Sequence, residues 1–404
     1  MDLYRQNPQF QLAEKICVEL QAQGFQALLA GGCVRDFLLH RHPNDFDVAT
    51  NATPDQVEAL FAKTIPVGKA FGVMIVAEGT EQVEVATFRK DGPYEDGRRP
   101  RSIEFAAAEE DALRRDFTVN GLFYDLKTGS VLDYVDGVKD LQAKKLRAIG
   151  SPEKRFEEDH LRLLRAVRFA AQLDLEIEEK TWHAISKSRA WIQKVSGERI
   201  QEEMSKLLLS PFLEKGLKLL FETGLLASLL AQEDLLWKPP HLIFSRQEKT
   251  KEDHWFRFFF WLRGVSVTGA SVFFFEQCCD AWKFSRDLKQ KTLKALQWTY
   301  EDKPFLKHAL GELLALSFEP EHLRGQIEYS EFYLQSEERP SFERFLSRRL
   351  ELGREKPAAW VTAADLSSRF QGEELGRALK ASYWEQLEGK VSSQQELLQK
   401  WSTK

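Results

Sequence analysis

The sequence is short of cysteine. Four occur in 404 residues, at Cys17, Cys33, Cys278 and Cys279, with neither a metal-type pair spacing nor a disulfide framework, so structural zinc and an oxidising compartment are not expected. A long apolar run is also missing. The densest, Trp255 to Leu262, is interrupted by Arg257 and is far shorter than the ~20 residues that span a bilayer, so no membrane association is expected. Met1-Asp-Leu-Tyr-Arg-Gln-Asn-Pro8 has no basic segment followed by an apolar one, which leaves export unsignalled and a cytoplasmic location expected. No charge sign dominates: 57 Lys and Arg stand against 62 Asp and Glu, a formal charge of −5. A nucleic acid would have to be held by a local basic surface, because the field of the whole molecule does not attract one. Repeats at solenoid periods are absent, which excludes a regular helical array.

What is there is ordinary for a packed globular chain, with 43% hydrophobic and 29% charged residues. At roughly 100–200 residues per domain the length corresponds to about two to four domains. Residues 1–150 hold most of the glycines that sit beside short β-type runs, and the chain beyond reads as amphipathic helices, so a boundary falls near Gly150-Ser151-Pro152. Weaker breaks fall at Ser210-Pro211, Lys238-Pro239-Pro240 and Lys356-Pro357. In the first part the pattern predicts a helix over Leu12–Leu20, a strand over Gln26–Ala30, a turn at Gly31-Gly32 and a helix from Val34 ending before Pro43. Phe46–Thr50 reads as the next strand, Thr53-Pro54 as the cap and first residue of a helix through Phe61, and Val73–Ala77 and Gln82–Phe88 as further strands. The result is a small mixed α/β domain. From Pro152 the apolar positions Phe156, Leu161, Leu164, Val167 and Phe169 to Leu173 predict one long helix capped by Ser151.

Four constellations carry candidate chemistry. Leu29-Ala-Gly-Gly-Cys-Val-Arg-Asp36 places two glycines after a strand, where backbone amides and a helix N-terminus approach a phosphate closely and Arg35 adds a clamping charge. Asn44-Asp-Phe-Asp-Val48 follows. Asp45 and Asp47 alternate on a strand, so both carboxylates face one way and together suit a hard cation such as Mg2+. Either motif alone reads as a turn or as solvated aspartates; their ordered combination has the spacing of a nucleotidyltransferase site. Next, residues 89–101 are dense in Gly, Pro and alternating charge and predict a mobile surface loop, with Arg89, Arg98, Arg99 and Arg101 placed to engage phosphates. Glu84, just upstream, reads as an exposed strand glutamate rather than as a third member of a carboxylate cluster. Leu113-Arg-Arg-Asp-Phe-Thr-Val-Asn120 sets two arginines beside an aspartate, followed by Asp133-Tyr-Val-Asp-Gly137; a triphosphate and ribose contact and a helix-capping ion-pair cluster fit this segment equally well. Last, Asp159, Arg162, Arg165 and Arg168 recur every three residues and would form one slanting row on the long helix, lining a cleft and pairing an acceptor with a donor at the first two positions.

These motifs, in this order, resemble the class II tRNA nucleotidyltransferase and bacterial poly(A) polymerase family over residues 26–209, through Gly-Glu-Arg-Ile-Gln-Glu-Glu-Met-Ser-Lys at 197–206. Within that family the resemblance is to the CCA-adding enzymes. It implies an α+β chain: a nucleotidyltransferase head with a small mixed sheet over 1–150, then an all-helical neck over 151–210, body over 211–355 and tail over 356–404. It implies Mg2+ on Asp45 and Asp47, nucleotide contacts at Gly32, Arg35, Arg115, Arg165 and Arg168, and an amino-acid template for the base in Asp159 and Arg162. The expected reaction is template-independent addition of C, C and A to the 3′ end of tRNA from CTP and ATP, with no obligate protein partner. Loop 89–101 is the segment the family uses to switch to A. Trp282-Lys-Phe-Ser-Arg-Asp-Leu288 resembles a body helix, and Val361-Thr-Ala-Ala-Asp-Leu366 with Gly372-Glu-Glu-Leu-Gly376 a tRNA-gripping tail; residues 230–275 resemble nothing in the family. No His-Asp dipeptide occurs, so the phosphohydrolase domain of some relatives is not expected. A poly(A) polymerase, an enzyme adding A alone, and a non-catalytic RNA-binding protein are the alternatives.

Overall fold

The computed structural model describes residues 4–94, 97, 98, 100–239, 251–266, 271–299, 313, 314, 338–352 and 356–403. The chain divides into two compact units, Met1–His241 and Leu242–Lys404.

The first unit is built on a seven-stranded mixed sheet. Its strands are β1 (Ala27–Ala30), β2 (Asp47–Thr50), β3 (Thr64–Gly68), β4 (Val73–Glu78), β5 (Glu81–Thr87), β8 (Leu122–Asp125) and β9 (Ser130–Asp133), in the spatial order β3-β4-β5-β2-β1-β8-β9. Only β2 and β5 run parallel; every other pair is antiparallel. Every residue of β1 is buried, because helix α1 (Pro8–Ala22) packs over β1, β2 and β5. Leu28, Ala30, Ala49, Phe88 and Phe123 meet Ala108 and Ala112 of helix α4 (Ala108–Leu113) in a common core. That double coverage explains why β1 reads as an unbroken apolar run rather than an alternating one.

Local signals place several boundaries. Helix α3 (Pro54–Leu60) starts in a capping box, with Thr53 N–H donating to Gln56 Oε1 at 2.8 Å and Gln56 N–H to Thr53 Oγ1 at 3.4 Å. Helix α2 begins two residues earlier than the pattern predicts, at Gly32, and ends at Leu38. β2 begins at Asp47, so Asp45 precedes the strand; the alternation survives because Phe46 between them is buried against Phe10 and Tyr4.

Four expectations are corrected. The segment after β5 is no unpaired mobile loop: β6 (Arg89–Asp91) and β7 (Ile103–Phe105) form an antiparallel ribbon, prolonged by a bridge between Tyr94 and Pro100 and by Gly92 N–H to Ser102 O at 2.8 Å. Backbone groups dense in Gly and Pro have paired with each other here, which composition does not reveal. Arg99 lies outside the described residues. The long helix is also broken, into α6 (Pro152–Glu158) and α7 (Arg162–Leu173), with Asp159 extended at φ −141°, ψ 105°. Asp159 Oδ1 accepts the Leu161 N–H at 3.1 Å and its carbonyl the Arg162 N–H at 3.0 Å, the local bonding by which aspartate competes with a continuing helix. A five-residue step from Phe156 to Leu161, too long for one helix face, is the trace of this break. Ser151 occupies the cap position of α6 without capping it; its hydroxyl pairs with Glu153 at 3.1 Å. Beyond Pro152 the unit is not wholly helical, since β10 (Lys145–Leu146) pairs in parallel with β11 (Glu176–Ile177).

In the second unit, helices Lys251–Val265, Val272–Ala281 and Arg286–Thr299 enclose an aromatic core. Trp255, Phe256, Phe258, Phe259 and Phe260 are fully buried, and Phe259 stacks on Trp282 at 6.2 Å and 17°. A helix apolar all round is a core helix, so this aromatic run is packing and not a surface for bases. Residues 356–403 hold a smaller cluster of Val361, Leu366, Ala378, Val391, Leu397 and Trp401. Among the described residues no helix is long and apolar enough to cross a membrane.

Candidate active site

A cavity of about 680 Å³ opens at the ends of β1 and β2, lined by the loop to α2, by Arg114, Arg115 and Asp116 just after α4, and by α7. All nine residues to which the resemblance gives a metal or nucleotide role line it, Gly32, Arg35, Asp45, Asp47, Arg115, Asp159, Arg162, Arg165 and Arg168; of the loop arginines Arg89 lines it, and Arg98 and Arg101 do not.

The acidic end is set by strand register. Ala30 pairs with Asp47 across β1 and β2, and Val48 with Val85 across β2 and β5, which brings Glu84 beside Asp47. Burial, then the charges of Glu84 and Asp45, push the Asp47 carboxyl up to about 7 against the pull of Arg115. Glu84 is likewise raised, by burial and then by Asp45. It stands on the solvent side of β5 as expected, yet it lines the cavity, a role that only the β2–β5 pairing reveals. Among the described residues no group of three or more His, Cys, Asp or Glu forms a complete metal cage. Two crowded carboxylates that resist joint ionisation fit a hard cation that completes its shell with substrate phosphate and water.

Gly31 supplies the turn. Its φ of +70° is left-handed, and a Cβ there would stand 2.9 Å from Arg115 Nη1, so this position and not Gly32 is the one that demands glycine. At Gly32 an added Cβ would meet only Arg35 Nη2, at 3.6 Å.

The basic wall is braced throughout. Arg35, 5% exposed, donates to Asp36 at 2.8 Å and to Asn120 Oδ1 at 2.6 Å. Arg115 donates to Asp111 at 3.1 and 3.0 Å, and its guanidinium lies 4.9 Å from the Phe123 ring. Burial alone would raise the Asp111 carboxyl, but Arg115 and Arg114 hold it below its ordinary range. Arg165 makes a two-pronged bond to Asp116 at 2.9 and 2.6 Å, and Arg168 bonds Glu203 at 2.6 Å and Gln172 at 2.7 Å. Asp116 is drawn far down, burial being outweighed by Arg165, Asn120 and Arg162. The guanidiniums of Arg35, Arg165 and Arg168 all lie over one ring, Phe169, at 5.3, 5.1 and 3.7 Å. Arg114 and Arg115 thus join both readings left open by the sequence, ion-paired to Asp111 and yet lining the cavity. Asp133, in contrast, serves only a turn, accepting from the backbone of Val135, Gly137 and Val138.

Asp159 and Arg162 are not neighbours on one helix face, since Asp159 sits in the break. A residue that sequence reasoning did not single out holds it: Arg199 of helix α9 (Gly197–Leu208) donates to both carboxylate oxygens, at 3.1 and 2.9 Å. Arg162 donates to Glu158 at 2.7 Å, to the Arg155 carbonyl at 3.1 Å and to the Arg114 carbonyl at 3.2 Å.

Comparison with known proteins decides the family. A 33% identity over 408 residues, 98% of this chain and 96% of the relative, joins it to the CCA-adding enzyme of Enterococcus faecalis (strain ATCC 700802 / V583). The chain belongs to the CCA-adding enzyme family. The family's relative from Lactobacillus helveticus (strain DPC 4571) is 43% identical over 230 residues, 56% of this chain and 57% of that enzyme. Residues 27–147 match the poly A polymerase head domain and residues 174–234 the probable RNA and SrmB-binding site of polymerase A. Among solved structures, the Bacillus stearothermophilus CCA-adding enzyme in complex with CTP has a TM-score of 0.75 at 28% identity, covering 98% of each chain. The Thermotoga maritima CCA-adding enzyme complexed with tRNA_CCA, 19% identical, shares the fold with a TM-score of 0.69 over 99% of this chain and 97% of that one. The α+β architecture of the CCA-adding enzymes is therefore that of this chain.

Proposed function

We infer that this chain adds C, C and A to the 3′ end of tRNA from CTP and ATP, releasing pyrophosphate. The observation that carries the reading is one cavity holding a carboxylate pair, a braced row of arginines and an aspartate and arginine poised for a base edge. The assignment of head to 1–150, neck to 151–210, body to 211–355 and tail to 356–404, and a cytoplasmic location, belong to the same proposal.

Asp45 and Asp47 would hold Mg2+, which when bound lowers the pKa of the RNA 3′-hydroxyl and neutralises charge on the leaving pyrophosphate. The chain's own residues do the rest. Arg35, Arg115, Arg165 and Arg168 hold the triphosphate, each kept in place by an acceptor that leaves part of its donor fork free. Gly31-Gly32 lets the backbone approach the phosphates. Asp159 only accepts and Arg162 only donates, so the pair matches the amino group and adjacent ring nitrogen that cytosine and adenine share. Three of the five N–H groups of Arg162 are engaged by Glu158, Arg155 and Arg114, so two remain for the base. Uracil and guanine set a carbonyl against the carboxylate, at a cost of about 1–3 kcal/mol for each acceptor left unpaired.

Labelled CTP and ATP with tRNA lacking CCA, and with tRNA ending in CC, test this. The expected products are CCA on the first and A on the second. A on the second with nothing added to the first identifies an A-adding enzyme, and long A tracts identify a poly(A) polymerase.

A further inference from the structure

The break between α6 and α7 frees backbone groups that a continuous helix would have used. Leu161 N–H is taken by the Asp159 side chain and Arg162 N–H by the Asp159 carbonyl. His160 N–H is taken from outside the helix, by the carbonyl of Gly97 at 3.1 Å. Gly97 lies at the far end of the β6–β7 ribbon, so the ribbon completes the first turn of α7.

The imidazole of His160 reinforces this contact. The residue is 7% exposed, its Nδ1 is 2.9 Å from the Phe156 carbonyl, and its ring centroid lies 5.2 Å from that of Trp191. Gly97 rests against the other side of the ring: a Cβ built on it would stand 2.2 Å from His160 Nε2 and 2.5 Å from Cδ2. No side chain fits there unless the ring or the ribbon moves. A hydrogen bond and a steric contact together fix Gly97 to His160.

The peptide unit that carries this hydrogen bond joins His160 to Asp159. A displacement of Gly97 tilts that unit and changes ψ of Asp159, whose carboxylate lines the cavity. At its base the ribbon reaches Arg162 as well, because Arg114 Nε donates to the Arg89 carbonyl at 3.2 Å while the Arg114 carbonyl accepts from Arg162. The ribbon is thus tied at its tip to the residue beside Asp159 and at its base to Arg162. Cytosine and adenine present the same donor and acceptor at different reach from the sugar, so one pair can read both only by shifting while the carboxylate end stays still.

We propose that His160 is a positioning residue that couples the β6–β7 ribbon, through Gly97, to the carboxylate of Asp159, and so sets the relative acceptance of adenine and cytosine. This rests on the reading of the cavity as a CCA-adding site. Its test is the ratio of A addition, on tRNA ending in CC, to C addition, on tRNA lacking CCA, measured as kcat/KM in the full chain. His160→Ala and Gly97→Ala are each expected to lower that ratio about tenfold, since an ångström-scale misplacement of a reading group has effects of this order or larger. His160→Gln keeps a polar group near the Phe156 carbonyl but lacks the flat ring against Gly97, and should show the same loss should the alanine variant fold poorly. Gly97 has a left-handed φ of +67°, which strains an alanine whatever its neighbour, so the double variant Gly97→Ala with His160→Ala should lose no more than Gly97→Ala alone, the contact being lost only once. A ratio within about threefold of the parent in folded single variants, including an equal fall in both additions, overturns the proposal, as does strict additivity in the double variant. If the parent itself adds neither C nor A, the reading of the cavity fails and the proposal falls with it; if the parent adds CCA and the ratio does not move, only the proposal falls.

Discussion

Arg199 grips Asp159 by two hydrogen bonds, Nη1 to Oδ1 at 3.1 Å and Nη2 to Oδ2 at 2.9 Å, across 40 residues of chain. The fork fixes the plane of the carboxylate, and because Oδ1 also accepts the Leu161 N–H, it is Oδ2 that keeps a second lone pair. Arg199→Lys keeps the charge but not the planar fork, so the carboxylate gains rotational freedom. Discrimination of CTP and ATP against UTP and GTP should fall about tenfold, and Arg162→Ala, which removes the donor of the pair, should relax it in the same direction. Competition between labelled nucleotides on a single tRNA measures both.

Asp45→Asn and Asp47→Asn should each reduce C and A addition by about a hundredfold or more while tRNA binding, followed by filter retention, stays near the parent's. Addition within tenfold of the parent would remove these residues from metal binding.

The raised Asp47 carboxyl has a consequence for stability. Its folded value of about 7 lies above the ordinary 3.8, so the folded state favours the protonated form. The stability this confers is fully present below about pH 4 and is lost as pH rises through 7. In chelator, Asp47→Asn should therefore be the more stable protein at pH 8, by about 4 kcal/mol, with the difference vanishing toward pH 4. Denaturant midpoints at the two pH values check the sign, and a pH-independent difference would refute it.

Phe169 carries three guanidiniums on one ring, the closest at 3.7 Å. Phe169→Leu keeps an apolar side chain but loses the negative ring face, worth about 0.5–2 kcal/mol per partner. KM for CTP and ATP should rise together, about three- to tenfold, with base preference unchanged, and Phe169→Tyr should retain most of the parent's affinity. A shift in preference would place Phe169 in base reading instead.

Deleting Gly92 to Gly97 removes the turn of the β6–β7 ribbon without touching the seven-stranded sheet. Two C additions should remain and the terminal A should be lost, as read on a sequencing gel. Retained A addition would make the ribbon a passive connection.

The head was legible because its signals are local. β1 announces itself as an apolar run, Thr53-Pro54 as a helix start, Gly31-Gly32 as a turn, and the alternation of Asp45 and Asp47 about buried Phe46 as one face. The break at Asp159 was masked because Leu161, Leu164 and Val167 keep helical spacing among themselves, and only the step from Phe156 departs from it. The ribbon at 89–105 was hidden by its composition.

The order of motifs along the chain determined which side chains would supply carboxylates, guanidiniums and a flexible turn, since the spacing of strand and helix residues decides which of them share a face. Tertiary structure alone decided how they act together. The approach of Glu84 to Asp47, the gathering of Arg35, Arg165 and Arg168 over Phe169, the fork of Arg199 on Asp159 and the docking of Gly97 on His160 join residues brought together by strand pairing and helix packing. Such contacts form only once the core has excluded water and set the registers, and a periodicity that spans a few residues does not encode them.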